Sequence, residues 1–141
     1  METSKQLVVG FTSVVGDLFH AGHVAMIQEC RQYCDFLIVG VMADTHDREG
    51  KNAPIQSLFE RFYQVQQCAG VNQVIALDSE ADLDLALRTL TEIDVRFVGE
   101  DYIGKDFTGK ATCERYGIRI IYTHRRHGLS STELRRRIVN G

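Results

Sequence analysis

A chain of 141 residues with a formal net charge of −3 can bury about two-thirds of its extended surface in one core, and two independent domains would be cramped in it. An apolar share of 44% and a charged share of 25% are those of an ordinary soluble globular protein, and the negative charge argues against a dedicated nucleic-acid binder. The four cysteines, Cys30, Cys34, Cys68 and Cys113, form no C-x-x-C pair, which argues against a zinc cage and a disulfide scaffold and for reduced thiols in the cytoplasm.

The opening METSKQLVVGF has too short an apolar run for a signal peptide. Its residues Gln6 to Phe11 predict a first buried strand, followed by a loop from Thr12 to Phe19. A helix is expected from His20 or Ala21 to about Tyr33, with Val24, Ile27, Cys30 and Cys34 at helical spacing. Phe36 to Val41 is an uninterrupted apolar run, as in a strand covered on both faces. The polar stretch Ala43 to Pro54 reads as a surface loop. Ser57 with Glu60 three residues on is a capping signal for a helix reaching towards Ala69. A strand over Val71 to Leu77, a helix over Asp82 to Leu90 and a strand over Asp94 to Val98 follow. Gly109 to Tyr116 predicts a helix, Ile118 to Tyr122 a fifth strand, and Ser130 to Val139 a terminal helix. Phe36, Phe59, Phe62 and Phe97 are expected in the core. No apolar stretch reaches the roughly 20 residues that span a bilayer. Strictly alternating strands and helices with short connections predict a parallel sheet covered on both faces, with ligands at the carboxyl ends of the strands.

The densest chemistry follows the first strand, in Gly16-Asp17-Leu18-Phe19-His20-Ala21-Gly22-His23. Two histidines three apart project from one side of a first helical turn. Gly22 between them leaves room for a ligand against the backbone, and the free amides of a helix start favour phosphate. Imidazoles beside those amides suit the stabilisation of charge developing on phosphoryl oxygens. Two other readings stay open at this point. One is a metal site of His20, His23 and Asp17, although no H-E-x-x-H pattern is present. The other is a helix cap at His20 with a surface His23.

The stretch GDLFHAGHVAMIQECRQYCDFLIVGVMAD resembles the cytidylyltransferase family typified by glycerol-3-phosphate cytidylyltransferase, within the nucleotidyltransferases that carry an H-x-G-H signature. The resemblance covers nearly the whole chain. It implies a Rossmann-like three-layer α/β/α sandwich with a five-stranded parallel sheet, a single domain over 1–141 and a homodimer. It also implies transfer of a cytidylyl group from CTP to a small phosphomonoester, with Mg2+ or another divalent cation accompanying CTP. His20 and His23 would contact the nucleotide phosphates, and Asp17 would match the aspartate ahead of the signature. The family usually reads G-x-F-D where this chain reads Val14-Val15-Gly16-Asp17. If a positive φ or close phosphate approach falls at position 14, valine obstructs it, and restoring glycine at 14 and an aromatic at 16 would then raise activity.

A second cluster lies in THRRHGLSSTELRRRI, residues 123–138. One hydroxyl of Ser130, Ser131 and Thr132 would cap the last helix, and the others would accompany its free amides. A capping box with Glu133 is possible if Ser130 is the cap. Arg125 and Arg126 would neutralise a triphosphate. Arg125, Gly128, Leu129, Ser130, Ser131 and Thr132 match the family's arginine and G-I-S-T-T-like turn, which implies a triphosphate clamp. Arg135, Arg136 and Arg137 take successive helical directions, so at least two should be surface charge. Lys51, in the polar loop, would donate to the α-phosphate or the acceptor phosphate. Arg61 would bind the acceptor phosphate or pair with an acid such as Glu60. Asp101 and Tyr102, after the fourth strand, would serve the cytosine or ribose, with Tyr102 stacking on a base or packing in the core. The sequence thus predicts a cytoplasmic enzyme with no nucleic-acid or membrane partner. A nucleotide-binding domain without catalysis and an ATP-using adenylyltransferase are the alternatives.

Overall fold

The computed structural model describes residues 6–43, 53–90, 92–124 and 129–141. Eleven elements follow in order: β1 (Val9–Val14), α1 (Ala21–Arg31), β2 (Phe36–Met42), α2 (Leu58–Gln66), β3 (Gln73–Leu77), α3 (Glu80–Thr89), β4 (Val95–Gly99), a 3-10 turn (Glu100–Tyr102), α4 (Lys110–Tyr116), β5 (Arg119–Thr123) and α5 (Ser131–Asn140). The sheet is parallel throughout, in the order β3-β2-β1-β4-β5. The expected three-layer, five-stranded, Rossmann-like architecture is what the chain adopts.

Side-chain alternation on the strands builds two cores. On β2, Ile38 and Met42 face Leu83, Ala86 and Leu87 of α3 and Cys113 of α4. Leu37, Val39 and Val41 face Ile27 and Cys30 of α1 and Val65 of α2 on the opposite side. A period-2 strand buried on both faces accounts for its unbroken apolar run. Each fully buried Leu, Ile, Val or Phe contributes roughly 1.5–3 kcal/mol through removal from water.

The first strand lies three residues later than its sequence pattern predicts. It runs to Val14, which pairs with Val41 of β2, so position 14 is strand rather than loop. At its start, Asp35 accepts from the Val8 amide just ahead of the strand, and Asp94 from the amide of Val9, its first residue. Phe59 is a second correction. It is 76% exposed and stacks on Tyr63 one turn along α2. The buried stripe of that helix belongs to Arg61 and Val65.

The order of strands fixes where a ligand would sit. From β1 the chain winds outward through β2 and β3, then crosses back to build β4 and β5 on the other side of β1. The crevice outside the carboxyl ends of β1 and β4 is therefore the switch point. The residues leaving β1 and β4 flank it.

Candidate active site

Residues 15–20 leave β1 in a tightly specified loop. Gly16 has φ 72° and Leu18 φ 50°, both left-handed. Glycine is thus required at 16 rather than at 14. A side chain there would be strained, and its Cβ would lie 3.4 Å from Val65 Cγ2. An aromatic at 16 would therefore stand at a left-handed position, and glycine at 14 within β1.

The loop is clasped to the segment preceding α2. The Leu18 amide donates to Gln56 Oε1 at 2.7 Å. In return the Ile55 and Gln56 amides donate to Asp17 at 3.0 and 2.9 Å. Arg135 of α5 adds a 2.8 Å ion pair to the same carboxylate. Burial alone would raise the Asp17 carboxyl, but the two amides and the Arg135 and Arg61 guanidiniums outweigh it and hold the pKa below its ordinary value. Asp17 is therefore a knot joining the β1–α1 loop, the α2 entry and α5.

Arg61 is 1% exposed. Its guanidinium donates to the carbonyls of Gln56, Val15, Met42 and Ala43. It ties the carboxyl ends of β1 and β2 to the α2 entry, beneath the crevice. These backbone bonds are what the structure shows where an acceptor-phosphate ligand or a pairing with an acid was expected. A guanidinium so buried and so occupied cannot turn to a phosphate without orphaning carbonyls, each at a cost of roughly 1–3 kcal/mol.

His20 is the N-cap of α1. Its Nδ1 accepts from the Gly22 amide at 3.0 Å, and the His23 Nδ1 accepts from the His20 amide at 3.1 Å, closing a reciprocal capping box made of two imidazoles. The ring centroids lie 4.0 Å apart. Phe19 stacks on the His23 ring at 5.1 Å and 8°. Burial, then the neighbouring His20, push the His23 pKa down to about 4, against the pull of Asp17. His23 is therefore neutral near pH 7. The first turns of α2, α3 and α5 each carry an acid, whereas that of α1 carries none. The positive end of its dipole is left for an anion.

The start of α5 meets the start of α1. A Cβ on Gly22 would lie 2.7 Å from the Leu129 carbonyl oxygen, so only glycine allows the two segments this close. Ser130 caps α5 by accepting from the Glu133 amide at 3.0 Å. The Glu133 carboxylate turns instead to Arg136 and Arg137, whose hydrogen bonds outweigh its slight desolvation and pull its pKa to about 2. Thr132 is exposed in the first turn of α5. Lys51, Arg125, Gly128 and the Ser131 side chain lie outside the described residues. Asp101 is exposed in the 3-10 turn after β4, and the half-buried Tyr102 packs edge-on against Phe107 at 5.9 Å.

Sequence reading missed Phe19, Gln56 and Arg135 as parts of the site, and also His124. The His124 amide donates to Glu29 of α1, and its ring meets Glu100 at 3.1 Å. These roles arise from pairings 38 to 118 residues apart for Gln56, Arg135 and His124, and no local motif announces them.

Metal ligation by His20, His23 and Asp17 does not fit this geometry. Both Nδ1 atoms accept backbone N–H bonds, the carboxylate is held by three donors, and among the described residues no group of three His, Cys, Asp or Glu converges on a cation position. A magnesium ion would be held chiefly by substrate phosphates and water, as that ion often is. No helix among the described residues is long and apolar enough to cross a membrane.

Known proteins agree with this geometry. Residues 17–137 match the family described as cytidylyltransferase-like. The chain is 34% identical over 128 residues to the bifunctional protein HldE of Acidiphilium cryptum, covering 88% of this chain and 26% of that protein. It is 30% identical over 142 residues to HldE of Syntrophotalea carbinolica, covering 99% and 29%. The chain thus spans about a quarter of the length of these curated relatives. Among solved structures, a lipopolysaccharide core biosynthesis protein from Thermoplasma volcanium superposes with TM-score 0.67 at 20% identity, over 84% of this chain and 96% of that one. Pantothenate synthetase from Thermus thermophilus superposes with TM-score 0.62 at 16% identity, over 90% and 61%. Both show a shared fold. The relatives described here are bifunctional proteins, so the resemblance to glycerol-3-phosphate cytidylyltransferase holds for the family and not for that enzyme. The chain belongs to the cytidylyltransferase-like family.

Proposed function

We propose that this chain is a nucleotidyltransferase that joins the nucleotidyl group of CTP to a small phosphomonoester and releases pyrophosphate. The observation that carries the reading is the contact of two helix starts, with His20 and His23 on one and Ser130 and Thr132 on the other, joined at Gly22 and Leu129. Such a crevice suits one chain of phosphates. Family membership supports nucleotidyl transfer in general and the choice of CTP.

The acceptor's phosphate oxygen attacks the α-phosphorus, and pyrophosphate leaves. A phosphomonoester is already largely ionised near pH 7, its second pKa being about 6, so no strong base is needed. The protein's work is to align two anions and to stabilise the charge gained in the transition state. His20 and His23 donate to the α- and β-phosphate oxygens. The α5 amides, Leu129, Ser130, Ser131, Thr132, Gly128 and Arg125 hold the phosphate tail. Lys51 assists from the loop before α2, and Asp101 and Tyr102 border the base or ribose. Asp17 and Arg61 hold the floor rather than touching substrate. Mg2+ bound with CTP would add charge neutralisation on the phosphates.

The histidine pair and the amides read phosphate and not the base, so ATP as donor is the second reading. A fold shared with a pantoate–β-alanine ligase complexed with an ATP analogue favours keeping it. We propose a homodimer in a cytoplasmic setting, with no nucleic-acid or membrane partner. Pyrophosphate release measured with the four nucleoside triphosphates against a panel of phosphomonoesters tests the reading. CTP-dependent release supports it, ATP-dependent release moves the base assignment alone, and release from none overturns it.

A further inference from the structure

Arg96 stands where the strand pattern calls for an apolar side chain. It is the second residue of β4, between Val95 and Phe97, which pack on the α1 side of the sheet. Alternation turns Arg96 to the opposite face, under α3 and α4. Its partners in register are Phe11 of β1 and Ile120 of β5, both in the core on that face. Arg96 is 5% exposed, and its buried Nε has no hydrogen-bond partner. Taking a guanidinium out of water with a donor unmet is costly, so what the rest of the group holds needs a reason.

It holds residues 107–109. Nη1 donates to the Thr108 carbonyl, and the guanidinium carbon lies 5.1 Å from the centroid of the Phe107 ring, within cation–π reach. Gly109 makes room for it. That residue has φ 82°, and a Cβ there would stand 2.8 Å from Nη1 and 2.4 Å from Leu87 Cδ1. The half-buried Phe107 ring then meets two tyrosines. Tyr102 of the 3-10 turn lies at 5.9 Å and 73°, and Tyr122 near the end of β5 at 6.4 Å and 88°. Both are favourable edge-to-face arrangements. Lys110 reaches the same ring at 5.9 Å. Residues 103–106, which join the turn to Phe107, are all exposed, so they offer the turn no core of their own.

We infer that Phe107, seated on the Arg96 guanidinium, is the positioning residue for the turn that carries Asp101 and Tyr102, and that it thereby sets how tightly the nucleoside end of the donor is held. The inference rests on the proposed nucleotidyl transfer, in which that turn borders the base or ribose. In the same reading the phosphate tail belongs to the starts of α1 and α5. Arg96 and Phe107 work from the α3–α4 face of the sheet, so they act on the nucleoside end and leave the phosphate end as it is. A rigid ring with one seat and two edge contacts fixes the turn before the ligand arrives, and binding then has less ordering to do.

The test is titration calorimetry of the whole chain with CTP, ATP and inorganic triphosphate. Phe107→Leu removes the ring contacts with Tyr102 and Tyr122. It is expected to weaken binding of the nucleotide that the wild type takes by about tenfold, while inorganic triphosphate binds as before. KM for that nucleotide should rise by a similar factor, with a smaller change in kcat. Phe107→Tyr keeps the ring and should restore binding. Arg96→Met removes the seat at similar volume and should reproduce the loss confined to nucleotides. Equal weakening of nucleotide and triphosphate, or no weakening in either variant, overturns the role. Ring signals of 13C-labelled tyrosines in the free protein, assigned by Tyr102→Phe and Tyr122→Phe, give a second readout. The Tyr102 signal should move in Arg96→Met, where Phe107 itself is retained, and an unmoved signal overturns the seat. Because these spectra need no nucleotide, a wild-type chain that binds none of the three ligands would refute the proposed function while the support of the turn is still decided.

Discussion

Gly22→Ala probes the meeting of α1 and α5 with one methyl group. The added Cβ would lie 2.7 Å from the Leu129 carbonyl oxygen and 2.8 Å from His20 Cε1. The carbonyl belongs to backbone, so relief to ordinary contact at 3.4 Å requires the start of α5 to retreat by roughly 0.7 Å, or the His20 ring to leave its cap. Two energies oppose each other. Alanine favours a helix over glycine by up to about 1 kcal/mol, and overpacking costs about 1–3 kcal/mol. The net loss of stability is then only about 0–2 kcal/mol, and most molecules stay folded. Catalysis should suffer far more, because a displacement approaching 1 Å between phosphate-holding groups costs about a hundredfold. Urea unfolding and steady-state pyrophosphate release, measured on the same preparation, separate the two. A variant that is folded and fully active would refute the claim that these two helix starts act on one ligand.

His20→Asn should keep or raise the melting temperature, because asparagine is a better N-cap, and should lower kcat about a hundredfold or more through loss of the distal donor. Calorimetry paired with the release assay checks it, and retained turnover would remove His20 from the chemistry. Arg61→Met orphans the carbonyls of Val15, Met42, Ala43 and Gln56, and is expected to cost about 3 kcal/mol or more in denaturant unfolding. A near-neutral result would show that the buried guanidinium is not the post described here. His23 has its folded pKa lowered from 6.5 to about 4. Between those values the unfolded chain binds a proton that the folded chain does not, so stability falls as pH falls through that window, by about 3 kcal/mol at its end. Asp17, whose pKa is also lowered on folding, contributes stability above its unfolded value of 3.8 that is lost below it. Unfolding midpoints at about pH 7.5 and about pH 5 should therefore differ more in the wild-type protein than in His23→Gln; equal differences would contradict the depressed histidine.

The fold was legible because its signals are local. The continuous apolar run at 36–41, the shorter one at 74–77, serine caps at Ser57 and Ser130, and strict alternation of strand and helix each act within a few residues. The start of the first strand was not, because Leu7 and Val8 share its apolar character while the Val8 amide is taken by Asp35, far along the chain. In the site, the H-x-G-H spacing announced the histidines and Gly22 correctly as neighbours at a helix start. The roles of Asp17 and Arg61 could not be read in the same way. A carboxylate and a guanidinium look alike in sequence whether they meet a phosphate or the backbone of their own fold. The arrival of residues 55 and 56 at Asp17, and of four carbonyls at Arg61, is visible only in the fold. Arg135 shows the same limit. Its two neighbours pair with Glu133 on the helix surface, while it alone turns inward to Asp17.

The most direct measurement is single-turnover pyrophosphate release with CTP and a phosphomonoester by the wild-type chain and by His20→Ala and His23→Ala proteins shown to be folded. Rapid release by the wild type, reduced at least a hundredfold in each variant, is the expected result. Undiminished release by both folded variants would contradict the assignment of the two imidazoles to the reacting phosphates.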